Sequence, residues 1–413
     1  MSSRPDVVVM GLGYIGLPTA AILASRGTNV LGVDVNESVV EAVNAGTVPF
    51  VEPDLAGYVS HAVATGHLRA GTAPEPADVF ILAVPTPFQD DRTPDLSYIR
   101  SAARMIAPSV QPGALVILES TSPPGATEQL ADWILEARPD LRDAEGVSLV
   151  HVAHCPERVL PGRVMVELVS NDRIVGGLTP EAAERARDLY QVFCAGEILL
   201  TDAVTAEMAK LVENSFRDVN IAFANELSLV CDRLGIDVWE LIRLANHHPR
   251  VDILQPGPGV GGHCIAVDPW FIVAAAPEQS RLIRTAREVN DAKPQWVVEQ
   301  VATAVQDLAA PTVAVLGLAF KPDIDDLRES PARKIAADLA DALPGGRVLA
   351  VEPHVEELPP ELANRRNVEL VEATEALDAA DCVAVLVDHT VFRTLKPVRD
   401  GVAVVDVKGL WRD

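Results

Sequence analysis

A glycine-rich turn near the start of the chain limits the possible folds most strongly. Gly11, Gly13 and Gly16 form a GxGxxG pattern directly after the apolar run Asp6–Met10, and a helical stretch follows. The first glycine permits a tight turn, the second lets a pyrophosphate approach the backbone, and the third lets the helix pack on the strand. Backbone N–H groups and the positive end of the helix would then face the phosphates. The pattern predicts a Rossmann-like dinucleotide-binding unit.

An acidic residue after the next apolar run indicates which dinucleotide binds. Asp34 follows Gly16 by 18 residues, where a carboxylate accepts a hydrogen bond from a ribose 2′-hydroxyl and repels a 2′-phosphate. We therefore expect NAD as the cofactor. Tyr14 and Ile15 lie within the turn and are further expected cofactor contacts. Thr86 and Thr121 lie on two loops at predicted strand ends and are also expected to contact the cofactor, although their hydroxyls serve equally well as turn or helix caps.

Strand-like and helical stretches alternate along most of the chain. The runs typical of buried parallel strands are Asp6–Met10, Asn29–Val33, Val79–Val84, Ala114–Glu119 and Val147–Val152, and later Thr312–Leu316, Arg347–Val351, Cys382–Val387 and Val402–Val407. Helical stretches such as Leu17–Arg26 and Ser97–Ile106 lie between them. Ala206–Leu234 lacks glycine and proline and predicts one long helix.

These patterns predict an α/β protein with two Rossmann-like, doubly wound parallel-sheet domains joined by a long central helix and a helical middle domain. The expected boundaries are 1–204, 205–307 and 308–413.

Composition excludes several classes of partner. The chain has 59 acidic against 34 basic residues, a net charge of −25, which opposes binding to nucleic acid or to anionic membranes. It shows no apolar run long enough for a membrane span and no signal peptide at its start, so we expect a cytoplasmic location. Its five cysteines are an odd number without a CxxC pair, so we expect neither disulfides nor a metal site.

Two groups of residues in the second half suggest catalysis. Cys264 follows Gly261 and Gly262 in a glycine-rich loop, with Asp268 four residues later. A single cysteine is usually a small buried hydrophobe, and we assign the other four to that role: Cys155, Cys194, Cys231 and Cys382. The loop position instead favours a nucleophilic thiol at Cys264.

The second group lies on the predicted long helix. Lys210, Asn214 and Arg217 are spaced to share one face. This face suits an anionic or oxyanionic ligand, although such a face is commonly only solvated.

Taken in order, six motifs resemble the UDP-glucose/GDP-mannose 6-dehydrogenase family over almost the whole chain. They are Gly11–Gly16, Ser120–Gly125, Pro156-Glu157, Ala209–Asn214, Gly261–Cys264 and Phe320–Ser330. The segments Glu213–Glu226, Asn246–Arg250 and Gln255–Trp270 resemble the branch that acts on UDP-N-acetyl-D-mannosamine. His263 and the Ile265-Ala266 pair depart from the UDP-glucose branch, which typically has GGSC followed by Phe/Leu-Pro.

The resemblance implies a four-electron oxidation of the sugar C6 hydroxyl to a carboxylate, with two NAD used in turn and a thiohemiacetal and a thioester formed on Cys264. The catalytic residues it implies are Cys264, Lys210, Asn214, Asp268, Glu157 and Thr121. The substrate contacts it implies are Arg158, Val159, Lys210, Asn214, Arg217, His248, Arg250, Gly261, Phe320 and Lys321, while Arg328 would reach the NAD phosphates. It also implies a homodimer through the central helix.

In the C-terminal domain, Leu318–Lys321 replace the GxGxxG pattern after Gly317. We therefore expect that domain not to bind a second dinucleotide, and the resemblance implies that it binds the UDP part of a UDP-sugar.

Three alternatives remain open on the sequence. The same chemistry could act on UDP-N-acetylglucosamine or UDP-glucose. A 3-hydroxyacid-type dehydrogenase also joins a Rossmann domain to a long helix, but it performs one oxidation and needs no cysteine. An NAD-binding regulator without activity is the non-enzymatic alternative.

Overall fold

The computed structural model describes residues 4–89, 91–160, 162–262, 265–397 and 399–412. It divides into two compact units. The first unit is Met1–Glu213 with Ala274–Ala276, and the second unit is Asn214–Val273 with Pro277–Asp413. The three-domain division expected from the sequence stays a prediction.

An eight-stranded sheet forms the centre of the first unit. Its strands are β1 Val7–Met10, β2 Val30–Val33, β3 Leu68–Gly71, β4 Val79–Leu82, β5 Leu115–Leu118, β6 His151–His154, β7 Arg173–Gly177 and β8 Ile198–Asp202. The strand order is β3-β2-β1-β4-β5-β6-β7-β8. Strands β1 to β6 run parallel, β7 runs antiparallel to β6, and β8 runs parallel to β7.

Helices cover both faces of this sheet. They are α1 Gly16–Ser25, α2 Glu37–Asn44, α3 Leu55–Ala64, α4 Ser97–Ile106, α5 Ala126–Ala137, α6 Val164–Ser170 and α7 Pro180–Tyr190, with short 3-10 helices at Ala107–Ser109 and Pro139–Leu141. Successive residues of β1 point to opposite faces: Val7 packs with α1 residues, whereas Val8 packs with α4 and α5 residues. The two-sided core confirms the doubly wound fold.

The next elements are mainly helical. They are α8 Ala203–Leu234, which passes the boundary between the units, α9 Val238–Ala245, α10 Asp268–Ala275 and α11 Arg281–Ala304.

A five-stranded parallel sheet follows, with the order β11-β10-β9-β12-β13. Its strands are β9 Thr312–Leu316, β10 Arg347–Val351, β11 Val368–Leu370, β12 Cys382–Val385 and β13 Ala403–Asp406. Its helices are α12 Pro331–Ala342, α13 Pro360–Ala363 and α14 Ala373–Ala379, with a 3-10 helix at Thr390–Thr394. The second Rossmann-like sheet is thereby confirmed.

Several element boundaries agree with the prediction and others correct it. Helix α4 and strands β9 and β10 span the predicted residues, and α8 begins three residues before the prediction. The predicted strand Val147–Val152 is wrong, because the strand is His151–His154 and Val147 is 60% exposed. Strands β3, β7, β8 and β11 were not predicted, so the first sheet is not parallel throughout.

Among the described residues, no helix combines the length and apolar content needed to cross a bilayer.

Candidate functional site

The turn between β1 and α1 has the shape that the glycine pattern predicts. Gly11 has a φ of +90°, and a Cβ atom there would lie 2.5 Å from the backbone oxygen of Ala83. A Cβ on Gly16 would lie 1.9 Å from the Gly11 oxygen, whereas a Cβ on Gly13 would meet nothing within 4 Å. The open space at Gly13 leaves room for a phosphate beside the N-terminus of α1, which has no side-chain cap.

The carboxylate of Asp34 is fixed next to this turn. Its Oδ2 accepts a hydrogen bond from the Leu12 backbone N–H at 2.9 Å, and its Oδ1 accepts one from the Asn36 N–H at 2.9 Å. Each carboxylate oxygen has a second lone pair that can accept a ribose hydroxyl. The position therefore suits an NAD ribose and disfavours a 2′-phosphate.

Two threonines lie on loops after neighbouring strands. Thr86 follows β4, and its Oγ1 is buried without a hydrogen-bond partner within the described part of the chain. Thr121 follows β5 and is half-buried. Ser120 ties the two loops together, because its Oγ donates to the Val84 backbone oxygen at 2.6 Å. An unpaired buried hydroxyl at the carboxyl edge of the sheet is what a ligand-binding position requires.

The remaining expected cofactor contacts lie in the turn itself. The exposed Tyr14 ring stacks on Phe50, with ring centroids 4.3 Å apart, and half-buried Ile15 directly precedes α1. Together with the glycine cradle and the orphan Thr86 hydroxyl, these residues fit a dinucleotide. NAD bound there would supply a hydride acceptor.

Glu207 of α8 holds the Thr121 loop at its far end, a role that the sequence analysis missed. Its carboxylate accepts hydrogen bonds from the Gly125 N–H at 2.6 Å and the Thr127 N–H at 2.7 Å. This carboxylate therefore caps the N-terminus of α5 from a separate helix. Nothing in the local spacing of the sequence indicates a cap from a residue so distant along the chain.

Glu157, a predicted base, lies in a buried cluster of charged groups. Its Oε2 accepts a hydrogen bond from Arg173 at 3.1 Å. Glu119 is buried beside them and accepts a hydrogen bond from the Tyr190 hydroxyl at 2.8 Å. Burial and the neighbouring Glu157 carboxylate raise the pKa of Glu119 to about 7, against the opposing effect of Arg173. Glu119 therefore holds its proton far more firmly than an ordinary glutamate does.

We expect Glu119→Gln to make the protein more stable than wild type above neutral pH. The pKa of Glu119 in the folded state is about 7, which is above its value in the unfolded chain. The free energy of unfolding therefore decreases as the pH rises from the unfolded-state pKa to about 7. Glutamine removes this loss, which is on the order of 3 kcal/mol for a shift of this size. The measurement is the Tm of both proteins from about pH 5 to about pH 8. The exposed Glu128→Gln is the control, and parallel Tm curves for wild type and Glu119→Gln contradict the assignment.

Arg158, a predicted substrate contact, already has strong partners. Its guanidinium forms a two-pronged ion pair with Glu213, at 2.6 and 3.1 Å, and donates to the Asp172 backbone oxygen at 3.1 Å. An anionic ligand at Arg158 would therefore compete with Glu213. Val159, the next residue, is half-buried. Lys210 on α8 is half-buried as well.

In the second unit, two predicted catalytic residues are in direct contact. The Asn214 side-chain Nδ2 donates to Asp268 Oδ2 at 2.5 Å. Asp268 begins α10 and is 3% exposed. This short hydrogen bond from α8 fixes the orientation of both side chains, so the Asn214 amide and the Asp268 carboxylate lie next to each other.

The glycine-rich loop packs against another predicted substrate residue. A Cβ on Gly261 would lie 3.2 Å from the Phe320 Cβ and 2.4 Å from the Glu329 backbone oxygen. Gly262 has a φ of +83°, and a Cβ there would lie 3.3 Å from the Phe320 ring. Glycine is therefore required at both positions. His263 and Cys264 lie outside the described residues.

The predicted cationic contacts of the second unit are exposed: Arg217, His248, Arg250, Lys321 and Arg328. The Lys321 Nζ lies 5.5 Å from the centre of the Phe320 ring. Arg328 pairs with Asp326 at 2.6 Å. Its role toward the NAD phosphates stays a prediction.

The structure adds Lys408 to the residues near the glycine-rich loop. Its Nζ pairs with Asp388 at 3.0 Å and lies 4.0 Å from where a Cβ on Gly257 would be. The signal available in the sequence was the scarcity of lysine, which occurs only six times in the chain.

The turn after β9 resembles the first glycine turn but is closed. Gly317 also has a φ of +90°, and a Cβ there would lie 2.3 Å from the Val387 Cβ. Glu352 accepts hydrogen bonds from the Leu318 N–H at 2.7 Å and from the buried His389 at 3.1 Å. Glu352 is also buried, whereas Asp34 is half-buried, so a ribose has less access to the Glu352 carboxylate. That this domain binds no second dinucleotide stays a prediction.

His389 also belongs to a group with metal-ligand geometry. One ligand atom from each of Asp323, His354 and His389 lies within 4.8 Å of the others. However, His389 Nδ1 accepts a hydrogen bond from the Asp323 N–H at 2.9 Å, while Nε2 faces Glu352. Both ring nitrogens are engaged, so this group gives no argument for a metal ion.

The four described cysteines carry free thiols, three of them buried and Cys194 half-buried. Burial raises the pKa of Cys155 and of Cys382 to about 12. Such thiols are poor nucleophiles at neutral pH, in agreement with the packing role assigned to them.

Comparisons with known proteins agree with this arrangement. Three models of the UDP-glucose/GDP-mannose dehydrogenase family match the chain: the NAD binding domain at residues 5–194, the central domain at 204–292 and the UDP binding domain at 314–413.

Individual relatives match over nearly the whole chain. A UDP-N-acetyl-D-mannosamine dehydrogenase of Escherichia coli strain K12 is 57% identical, covering 99% of this chain and 100% of that protein. An NDP-N-acetyl-D-galactosaminuronic acid dehydrogenase of Ralstonia nicotianae is 58% identical, covering 98% and 96%. The solved structure of a UDP-N-acetyl-mannosamine dehydrogenase from S. aureus has a TM-score of 0.84 at 39% identity, covering 98% of this chain and 99% of that one.

Proposed function

Because this chain belongs to the UDP-glucose/GDP-mannose dehydrogenase family, whose members oxidise nucleotide sugars with NAD, we propose that its substrate is UDP-N-acetyl-D-mannosamine. The product is UDP-N-acetyl-D-mannosaminuronate, a precursor for surface polysaccharide. The observation that carries the proposal is the 57% identity to the E. coli protein of that name over 99% of this chain. Family membership sets aside the 3-hydroxyacid dehydrogenase and the inactive regulator as alternatives.

The reaction requires two oxidations at one carbon. The Gly11 turn, Asp34 and Thr86 would hold NAD, which would supply the hydride acceptor for both oxidations of the sugar C6. The alcohol first becomes an aldehyde, and the thiol of Cys264 adds to its carbonyl carbon to give a thiohemiacetal. Loss of a second hydride and the hydroxyl proton gives a thioester. Water then displaces the thiol and leaves the carboxylate.

The second unit supplies the polar groups for these steps. The Asn214 amide, held by Asp268 at 2.5 Å, is suited to orient water and to stabilise an oxyanion. Asp268 is the first candidate for the base that activates water, since it is buried and in contact with this amide.

The first unit supplies the other proposed groups. Glu157 is the second candidate base, and its Oε2 accepts a hydrogen bond from Arg173 at 3.1 Å. Lys210 adds a cation on α8 for the oxyanion, and Thr121 is proposed to contact the nicotinamide and water.

The test compares kcat/KM across nucleotide sugars, with each reaction monitored by NADH absorbance. UDP-N-acetyl-D-mannosamine should be oxidised most efficiently, ahead of UDP-N-acetylglucosamine, UDP-glucose and GDP-mannose, with NADP a poor replacement for NAD. Equal or better kcat/KM with UDP-glucose contradicts the substrate assignment. UDP-N-acetylgalactosamine must be included as the second candidate, because of the 58% identity to the Ralstonia protein.

The proposal includes a cytoplasmic homodimer. Phe216, Phe223 and Val230 lie seven residues apart on α8 and are 68%, 51% and 47% exposed. This spacing places them in one stripe, and large exposed apolar side chains in a stripe are typical of an interface. Sedimentation analysis tests the dimer, and a chain that stays monomeric contradicts it.

A further inference from the structure

The glycine-rich loop of the second unit is held by one buried side chain. The Gly257 backbone N–H donates to Asn225 Oδ1 at 2.8 Å. Asn225 lies on α8, is 0% exposed and is not among the residues predicted for the site. Two residues further along the loop, a Cβ on Gly259 would lie 3.2 Å from the Asn290 backbone oxygen. The loop therefore rests on α8 and α11.

A chain of hydrogen bonds continues from Asn225 into the interior. Asn225 Nδ2 donates to Asn290 Oδ1 at 2.8 Å, and Asn290 Nδ2 donates to Asp218 Oδ1 at 2.8 Å. Arg287 Nη1 donates to the same Asp218 oxygen at 2.6 Å. The four side chains are at most 1% exposed. Buried polar groups are costly unless they are hydrogen-bonded, so each link restricts the next. Among the described residues, Asp218 Oδ2 and Arg287 Nε are the atoms of these four side chains that lie buried without a partner.

The residues at the two ends of this network determine which group donates and which accepts in each hydrogen bond. The ionised Asp218 carboxylate only accepts hydrogen bonds, so the Asn290 amide must present its NH₂ to Asp218 and its oxygen to Asn225. Asn225 must then present its NH₂ to Asn290, which leaves its oxygen for the loop. The Gly257 N–H can only donate, and it demands the same orientation.

Arg287 supports this arrangement of donors and acceptors. Burial raises the pKa of Asp218, and the Arg287 guanidinium opposes that rise. The Asp218 backbone oxygen also accepts a hydrogen bond from Asn290 Nδ2, at 3.1 Å, and demands the same orientation of the amide.

We propose that Arg287, Asp218, Asn290 and Asn225 are positioning residues that hold loop 255–262, which precedes Cys264 in the sequence, in the catalytic arrangement. The proposal rests on the proposed function. Asp218 lies one helical turn after Asn214, so the same face of α8 carries the proposed catalytic amide and the residues that orient the loop.

The substitution Asn290→Asp tests the direction of this network. In the wild type, Asn290 Nδ2 donates to Asp218 Oδ1 at 2.8 Å and to the Asp218 backbone oxygen at 3.1 Å. A carboxylate at position 290 cannot donate to either oxygen, so the network breaks at this link.

Two readouts separate positioning from general stability. Asn290→Asp should speed hydrogen exchange of the backbone amides in 255–262 while exchange in the first unit is unchanged. Its kcat/KM for the sugar should fall about 100-fold, as displacement of a reacting group does. NAD affinity should stay at the wild-type value. Asn225→Ala, which removes the amide that accepts from the Gly257 N–H, should give the same loss of protection in 255–262.

The control and a reserve variant keep the test decisive. Asn44 in the first unit likewise bridges backbone groups, accepting from the Ala70 N–H at 2.8 Å and donating to the Ala70 oxygen at 3.0 Å. Asn44→Asp should leave loop exchange and kinetics unchanged. If Asn290→Asp does not fold, Asn225→Ala tests the proposal by itself, because it removes the hydrogen bonds to Gly257 and to Asn290 and leaves the contact of Asn290 with Asp218.

Two results overturn the positioning proposal: wild-type exchange of the amides in 255–262 in Asn225→Ala, or faster exchange spread evenly over both units. A wild-type protein that oxidises none of the sugars refutes the proposed function instead. Because hydrogen exchange needs no turnover, it still tests the network in that case.

Discussion

The Cys264→Ala variant is expected to lose uronate formation by about 10⁴-fold or more, as removal of a covalent nucleophile does. Without the thiol, the aldehyde from the first oxidation cannot become a thiohemiacetal, so the second hydride has no efficient donor. The variant should still release aldehyde slowly, which a hydrazide reagent traps. The measurement is uronate and trapped aldehyde by mass spectrometry.

Cys194→Ala is the matched control, because Cys194 is a half-buried thiol in the first unit, outside the proposed site. It should retain wild-type uronate formation. Full uronate formation by Cys264→Ala would show that the second oxidation does not pass through this thiol.

The second large effect is expected from Asp268→Asn. The new amide can turn its oxygen toward Asn214 and keep that hydrogen bond, so the substitution removes mainly the charge and the base. The kcat should fall about 10²- to 10⁴-fold, the usual range for a lost general base, with a small change in KM. Because hydrolysis is the slowed step, the thioester on the protein should accumulate and add its mass to the intact chain.

Glu278→Gln is the control for charge, since Glu278 is exposed in the second unit just beyond the end of α10. It should show wild-type kcat and no covalent adduct. A wild-type kcat in Asp268→Asn would remove Asp268 from the chemistry and leave Glu157 as the remaining candidate base.

The sequence predicted the local features of the fold well. The Gly11 turn and Asp34 depend on residues that are close along the chain, and the structure places the Asp34 carboxylate on the turn as expected. Strands β9 and β10 are apolar and β-branched, so their ends were clear.

One of the missed strands, β7, has a local composition that disfavours a strand. Strand β7 ends in Gly176 and Gly177, and glycine normally weakens a strand. At Gly176, a Cβ would lie 2.3 Å from the Asp202 backbone oxygen, so close packing with the neighbouring strand requires the glycine. This reason becomes visible only when β7 and β8 are paired.

The partners within the site could not be predicted because they are far apart along the chain. The ion pair of Arg158 with Glu213 joins residues 55 positions apart, and the contact of Asn225 with Asn290 joins residues 65 apart. Spacing along one helix indicates which side chains share a face, but not which side chain from another element faces them. Glu119 was likewise predicted only as the end of a strand. Its raised pKa arises from burial and from the neighbouring Glu157 carboxylate.

The ratio of NADH formed to sugar consumed tests the central claim most directly. Purified protein is incubated with limiting UDP-N-acetyl-D-mannosamine and excess NAD until the reaction stops, and NADH, residual substrate and product are measured. The proposed chemistry predicts two NADH per sugar and uronate as the final product. One NADH per sugar with the aldehyde as the end product would contradict it.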